Sequence, residues 1–227
     1  MPRYTPTTEF QLRRRRRRTI AAMTAAMAMG VAYVAWTNSY ALFGIAQPDT
    51  CVITSDSGER IVDVATAQNF VAQSLENKEL LPKASITCTY GIDFSEGSKT
   101  LSERGLTPSA ETLDITIDET FGRVPDGGYA PGGVTEGHIP GSAHYEGRAI
   151  DYFFRPYDVP ENRKAGWQLA LWAVVHAGDL NIDTIIFDDQ IWTANRSFEG
   201  WREYVHPSGD RENPILRHLD HVHIDVK

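Results

Sequence analysis

Ser142-Ala143-His144-Tyr145-Glu146-Gly147-Arg148-Ala149-Ile150-Asp151 places a histidine and a carboxylate seven residues apart, with Gly147 between them. The apolar run Ile150-Asp151-Tyr152-Phe153-Phe154 begins where that stretch ends, so the pattern predicts a loop turning into a strand. An aspartate inside such a run is costly to bury unless a basic side chain or a metal ion neutralises it. The far end of the chain offers partners in Asp220-His221-Val222-His223. Side chains at i and i+2 of a strand share a face, so His221 and His223 project together while Ile224 and Val226 pack on the other side. Two imidazoles and one carboxylate are the ligand set of a catalytic zinc site, in which three protein ligands leave a fourth position for water.

These two segments resemble the D-alanyl-D-alanine carboxypeptidase and murein endopeptidase group of zinc peptidases, whose fold is shared with the Hedgehog signalling domain. The group's Ser-x-His-x-x-Gly-x-Ala-x-Asp motif is matched at Ser142, His144, Gly147, Ala149 and Asp151, and its terminal His-x-His at His221 and His223. The resemblance covers roughly 106–227. It implies Zn2+ held by His144, Asp151 and His223, with His221 beside the metal as a proton-transfer or orienting residue and Asp220 as a competing base. It also implies an α+β fold, a small antiparallel sheet with flanking helices. One departure stands out: members with carboxypeptidase activity often carry a substrate-gripping arginine after the tyrosine of a Gly-Tyr-Arg segment, and here Gly128-Tyr129 is followed by Ala130.

The bulk charge of −8 hides an asymmetry. Seven of the 22 basic residues but one of the 30 acidic residues precede Thr19, so the remainder is strongly acidic, which argues against nucleic acid as a partner. Arg13 to Arg18 abut 28 residues, Thr19 to Ala46, without a charged side chain. That is the positive-inside signature of a segment that leaves the N-terminus in the cytoplasm and the rest of the chain outside. The span exceeds the usual export core and suffices to cross a bilayer, which favours an anchor at 19–46 behind a cytoplasmic segment at 1–18; Gly44-Ile45-Ala46 keeps a cleaved signal and a secreted product open. Cys51 and Cys88 are the two cysteines, and such a pair in an exported chain is expected to form one disulfide.

The cysteines bracket a predicted membrane-proximal module over 47–90. Within it, Val52 to Thr54 and Arg60 to Val64 flank a Ser/Asp/Gly turn, and a helix follows from Ala65 to Leu75. A Gly/Ser-rich linker is expected over 91–105 and the main domain over 106–227. Thr107-Pro108 opens a helix closed by Gly122, and a Gly/Pro-rich loop from Pro125 to Gly133 leads to the first motif. A second helix is expected from Glu161 to Ala177, two short strands or one bent one over Ile182 to Trp192, and a closing strand from His218 to Val226.

Ser142 and Arg148 are expected behind the ligands, Ser142 holding the loop by a local hydrogen bond, with Tyr129 nearby or on substrate. His138 and His206 fall in loops, and the alternation places His218 with Asp220 as a surface residue. The resemblance and the exported location together point to peptidoglycan stem peptides as substrate, cut by carboxypeptidase or endopeptidase action of metal-activated water. The rival reading is a wall-binding or scaffolding domain of the same fold without turnover. Oligomeric state is not encoded in any pattern found.

Overall fold

The computed structural model describes residues 49–91, 94 and 96–227. The expected basic segment 1–18 and apolar segment 19–46 lie outside the described residues. Among the described residues, no helix is long and apolar enough to cross a membrane.

Two antiparallel sheets and several helices make an α+β architecture. The first sheet holds β1 (Thr50–Ser55), β2 (Gly58–Asp63) and β3 (Ile86–Thr89) in the order β2-β1-β3. The hairpin expected from the sequence is β1 and β2; the third strand carried no alternation strong enough to announce itself. Cys51 faces Cys88 directly across β1 and β3, and the two form the disulfide. Helix α1 (Val64–Glu76) starts at Asp63, whose carboxylate accepts from the Thr66 amide at 2.7 Å.

The second sheet has six strands and carries the site. Its order is β4 (Asp126–Gly127), β5 (Ala149–Phe153), β9 (His221–Val226), β6 (Ile182–Phe187), β7 (Gln190–Thr193) and β8 (Arg202–Glu203). The β6–β7 hairpin turns through Asp188 and Asp189, both at positive φ (49° and 61°). Aspartate tolerates this conformation better than most residues, which is why one apolar stretch folds as two strands. Helix α2 (Pro108–Phe121) is capped by Thr107 and followed by Gly122, as expected.

Helix α3 (Pro160–Val175), the second helix expected, is buried on all sides along its second half: all ten residues from Gly166 to Val175 are buried. It packs against α1 and β3 on one side and β6 and β9 on the other, so no face is left for water. The short α4 (Ala177–Leu180) follows it. Cys51, Ile53, Val71 and Ile86 of the expected membrane-proximal module belong to the same buried apolar cluster as Leu171, Val174 and Ile224, and Pro48–Lys227 forms one compact unit. Most described residues of the segment expected as a linker are exposed, though Phe94 and Gly105 are buried and some of its side chains and backbone are tied down. Arg104 donates to Glu111 and Asp114 at 2.8 and 2.6 Å, and a Cβ on Gly97 would stand 2.8 Å from the Lys227 carbonyl oxygen.

Candidate metal centre

Strands β5 and β9 pair in a register that sets Asp151 opposite His223 and Phe153 opposite His221. The alternation of β9 sends His221, His223 and Asp225 to one face, while Val222, Ile224 and Val226 are fully buried on the other. His144 arrives from a 3-10 turn, Ala143–Glu146, which Ser142 caps by accepting from the His144 amide at 3.4 Å. Gly147 ends that turn at φ 67°, in the left-handed region, and delivers the chain into β5.

Three donor atoms converge. His144 Nε2 lies 3.1 Å from His223 Nδ1 and 3.3 Å from Asp151 Oδ1, and His223 Nδ1 lies 3.0 Å from Asp151 Oδ1. All three residues are buried. The Gly128 carbonyl, 2.8 Å from His144 Nδ1, can only accept, so Nδ1 carries the proton and Nε2 offers its lone pair to the cluster. Asp225 Oδ2 stands 3.6 Å from His223 Nε2 and orients that ring from behind. Lone pairs of two imidazoles and a carboxylate aimed at one point call for a shared cation. The three donor atoms are close enough together for all of them to share one ion. The donor set fits such an ion.

The electrostatics agree. Burial pushes the Asp151 carboxyl up, but its interactions with the His144 and His223 rings outweigh it and hold the group well below the usual carboxylate range. Burial pulls His223 down, and its interactions with the Asp151 and Asp225 carboxylates overcome this and raise it to about 9. A protonated His223 would point its Nδ1 proton at the same donor atoms that would hold an ion.

His221 stands beside the cluster, its Nε2 3.8 Å from Asp151 Oδ1. Its Nδ1 donates to Asp220 Oδ1 at 2.8 Å, and Arg155 Nε donates to the other oxygen of Asp220 at 2.7 Å. Burial acts against the Asp220 carboxylate, and the His221 and Arg155 contacts prevail, so its pKa is lowered. Both Asp220 oxygens are therefore engaged away from the donor triad.

Arg148 donates to Glu146 at 2.6 Å and to the Val226 carbonyl, tying the 3-10 turn to β9 rather than reaching the cluster. The Tyr129 hydroxyl accepts from Arg104 at 2.6 Å and donates to Asp126 at 2.8 Å. Tyr129 thereby steadies the strand end next to Gly128 and is not among the residues lining the cleft. Ser142 does line it.

The cleft over the cluster has a volume of about 690 Å³. His138 stacks on His144 with ring centroids 4.0 Å apart, and its backbone is fixed through the Tyr145 hydroxyl. His218 does not behave as a surface residue. It precedes β9 at φ 53°, and this turn swings its ring into the cleft, 4.6 Å from that of His221. His206 also lines the cleft. Sequence reasoning missed Gly128, Arg155 and Asp225; only Asp225, two positions beyond His223 on the same strand face, carried a readable signal. A second cavity, about 760 Å³, shares none of the donor residues and contains no histidine. Its buried Asp188 is accounted for by Trp167 and Lys83, each at 2.9 Å.

A family model described as VldE, C-terminal domain, matches residues 102–215, about half of the chain. No curated protein and no solved structure gives a significant match.

Proposed function

We propose that this chain, which belongs to the VldE C-terminal domain family, is a zinc-dependent peptidase acting outside the membrane on the stem peptides of peptidoglycan. The fold we assign it is the Hedgehog/D-alanyl-D-alanine peptidase type. The observation that carries the reading is the convergence of His144 Nε2, Asp151 Oδ1 and His223 Nδ1 within 3.0–3.3 Å of one another beside an oriented fourth group, His221. Two neutral imidazoles and one carboxylate suit zinc, which when bound supplies Lewis acidity and lowers the pKa of water.

The chain's own residues then divide the remaining work. With its Nδ1 proton committed to Asp220, His221 presents an unprotonated Nε2 at the cleft, placed to take a proton from water and return it to a departing amine. Asp220, engaged by His221 and Arg155, fixes the tautomer and stabilises the imidazolium; this favours His221 over Asp220 as the base. His138 packs the ring of His144 in place.

The disulfide supports an oxidising, extracytoplasmic location, with the N-terminal segment as a membrane anchor or a cleaved signal. The alternative, a wall-binding domain without turnover, draws on Ala130 standing where related carboxypeptidases have arginine. Metal analysis of the purified domain, with incubation on peptidoglycan fragments and detection of new amines, tests the proposal. Stoichiometric zinc with new amines is expected; zinc-loaded protein that binds fragments and releases no amine would transfer the case to the wall-binding domain.

A further inference from the structure

We infer that the cleft takes an internal stretch of peptide, amide-bonded on both sides of the scissile bond, and discriminates against a chain end with a free carboxylate. The inference rests on the peptidase reading above and specifies its substrate.

Charge is the first observation. Among the described residues lining the cleft there is no lysine or arginine, and the carboxylates that line it are Asp151 and Asp225. Guanidiniums on the surrounding elements are committed elsewhere. Arg155 donates to Asp220 at 2.7 Å and lies over the Phe153 ring at 4.0 Å. Arg217 grips Asp189 with two contacts, at 2.9 and 2.6 Å. A terminal carboxylate is ordinarily recognised by a cationic fork or an ammonium. In this cleft it would lose water, meet no lysine or arginine among the lining residues, and add a third carboxylate beside Asp151 and Asp225.

Shape is the second observation. Ile139 and Pro140 line the cleft from the loop before the 3-10 turn, and Pro207, Ile215 and Leu216 line it from the segment between β8 and β9. Ile139 is 39% and Ile215 54% exposed, so apolar surface stands free on both segments. The volume, about 690 Å³, falls in the range of clefts that enclose a sizeable ligand. Small apolar side chains on both sides of the scissile bond match such walls, and a peptide continuing in both directions brings only neutral amides.

The test uses one synthetic stem peptide made in two forms, carboxyl terminus free and carboxyl terminus amidated. Calorimetry on zinc-loaded His221→Ala measures binding, and turnover is followed with the unaltered protein. The amide is expected to bind tighter by about 10- to 100-fold, the cost of leaving one buried polar group unpaired, and to show the higher kcat/KM. Equal binding, tighter binding of the free acid, or no binding of either form at millimolar concentration overturns the inference. If the amide binds tighter while neither form is cut by the unaltered protein, the cleft's preference stands and the peptidase reading fails.

Discussion

Gly128→Ala should damage the metal centre through a residue that is not a ligand. Gly128 sits at φ 82°, and an added Cβ would lie 2.4 Å from His144 Cε1, 2.6 Å from its Nδ1 and 3.1 Å from Asp151 Oδ2. The positive φ alone costs about 1–2 kcal/mol for an alanine. Two of the contacts are shorter than atoms tolerate, and the ring is pinned by His138 on one side, so relief requires His144 to rotate away from His223 or the Gly128 carbonyl to withdraw from Nδ1. Either movement disturbs a ligand from behind, an effect worth about 10- to 100-fold in metal affinity. Gly132→Ala isolates the steric part, because Gly132 has the same φ of 82° and nothing within 4 Å of the added Cβ. Competition with a chromophoric chelator gives zinc affinity, and denaturant melts of the metal-free proteins give stability. Both variants should lose similar backbone stability, and Gly128→Ala alone should lose zinc affinity. Unaltered zinc affinity in Gly128→Ala, or an equal loss in Gly132→Ala, would refute the argument.

Removing a ligand is more direct: His144→Ala or Asp151→Ala should abolish stoichiometric zinc while circular dichroism stays near that of the parent, and unchanged zinc in both would sink the site. His221→Ala should keep its zinc yet lose turnover by ~10²- to 10⁴-fold, whereas Asp220→Ala, which leaves the imidazole in place, should lose less; the reverse order would move the base to Asp220. For pH, the sign follows from His223, whose folded pKa of about 9 lies above the ordinary 6.5. Its contribution to the metal-free protein is full below pH 6.5 and is lost as pH rises through about 9, so denaturant melts after chelation should show stability falling across that window. Zinc replaces that proton, so calorimetry at pH 7 in buffers of different ionisation enthalpy should show about one proton released per zinc bound. Finally, mass analysis of exported protein should find Cys51 and Cys88 linked, and Cys51→Ser/Cys88→Ser should lose about 2–5 kcal/mol of stability; two free thiols in the exported protein would contradict the pairing.

The parts legible in the sequence were those set by local rules. Thr107-Pro108 before an apolar periodicity and Gly122 after it fixed a helix, because caps act within one turn. His144, Asp151 and His223 were legible as a motif, although only the register of β5 on β9 brings 151 and 223 face to face, and register is a property of the folded sheet. Position 218 was misread because alternation was carried past the start of β9; the positive φ at His218 breaks it. Gly128 and Arg155 act through a carbonyl and through Asp220, and neither contact follows from spacing. The third strand of the first sheet went unseen because four residues give too short a period, and its partner lies 37 positions away.

The same geometry explains why the domain should fold before it meets its ion. In small zinc modules the metal substitutes for a core, and the chain is unfolded without it. Here β5 and β9 are held by fully buried Ile150, Tyr152, Val222, Ile224 and Val226 on the face away from the cluster, β5 in contact with α2 and β9 with both α2 and α3. The difficulty left for the metal-free state is electrostatic: Asp151 is buried, and His144 Nε2 and Asp151 Oδ1 present lone pairs to each other at 3.3 Å. A proton on His223 Nδ1 relieves both contacts at once, since that atom lies within 3.1 Å of each. On the proposed reading the centre is preorganised with a proton in the place of the metal, and zinc entry would exchange one cation for another without rebuilding the sheet. That exchange is why losing a ligand should cost metal rather than fold, and why metal binding should grow tighter as the pH approaches 9.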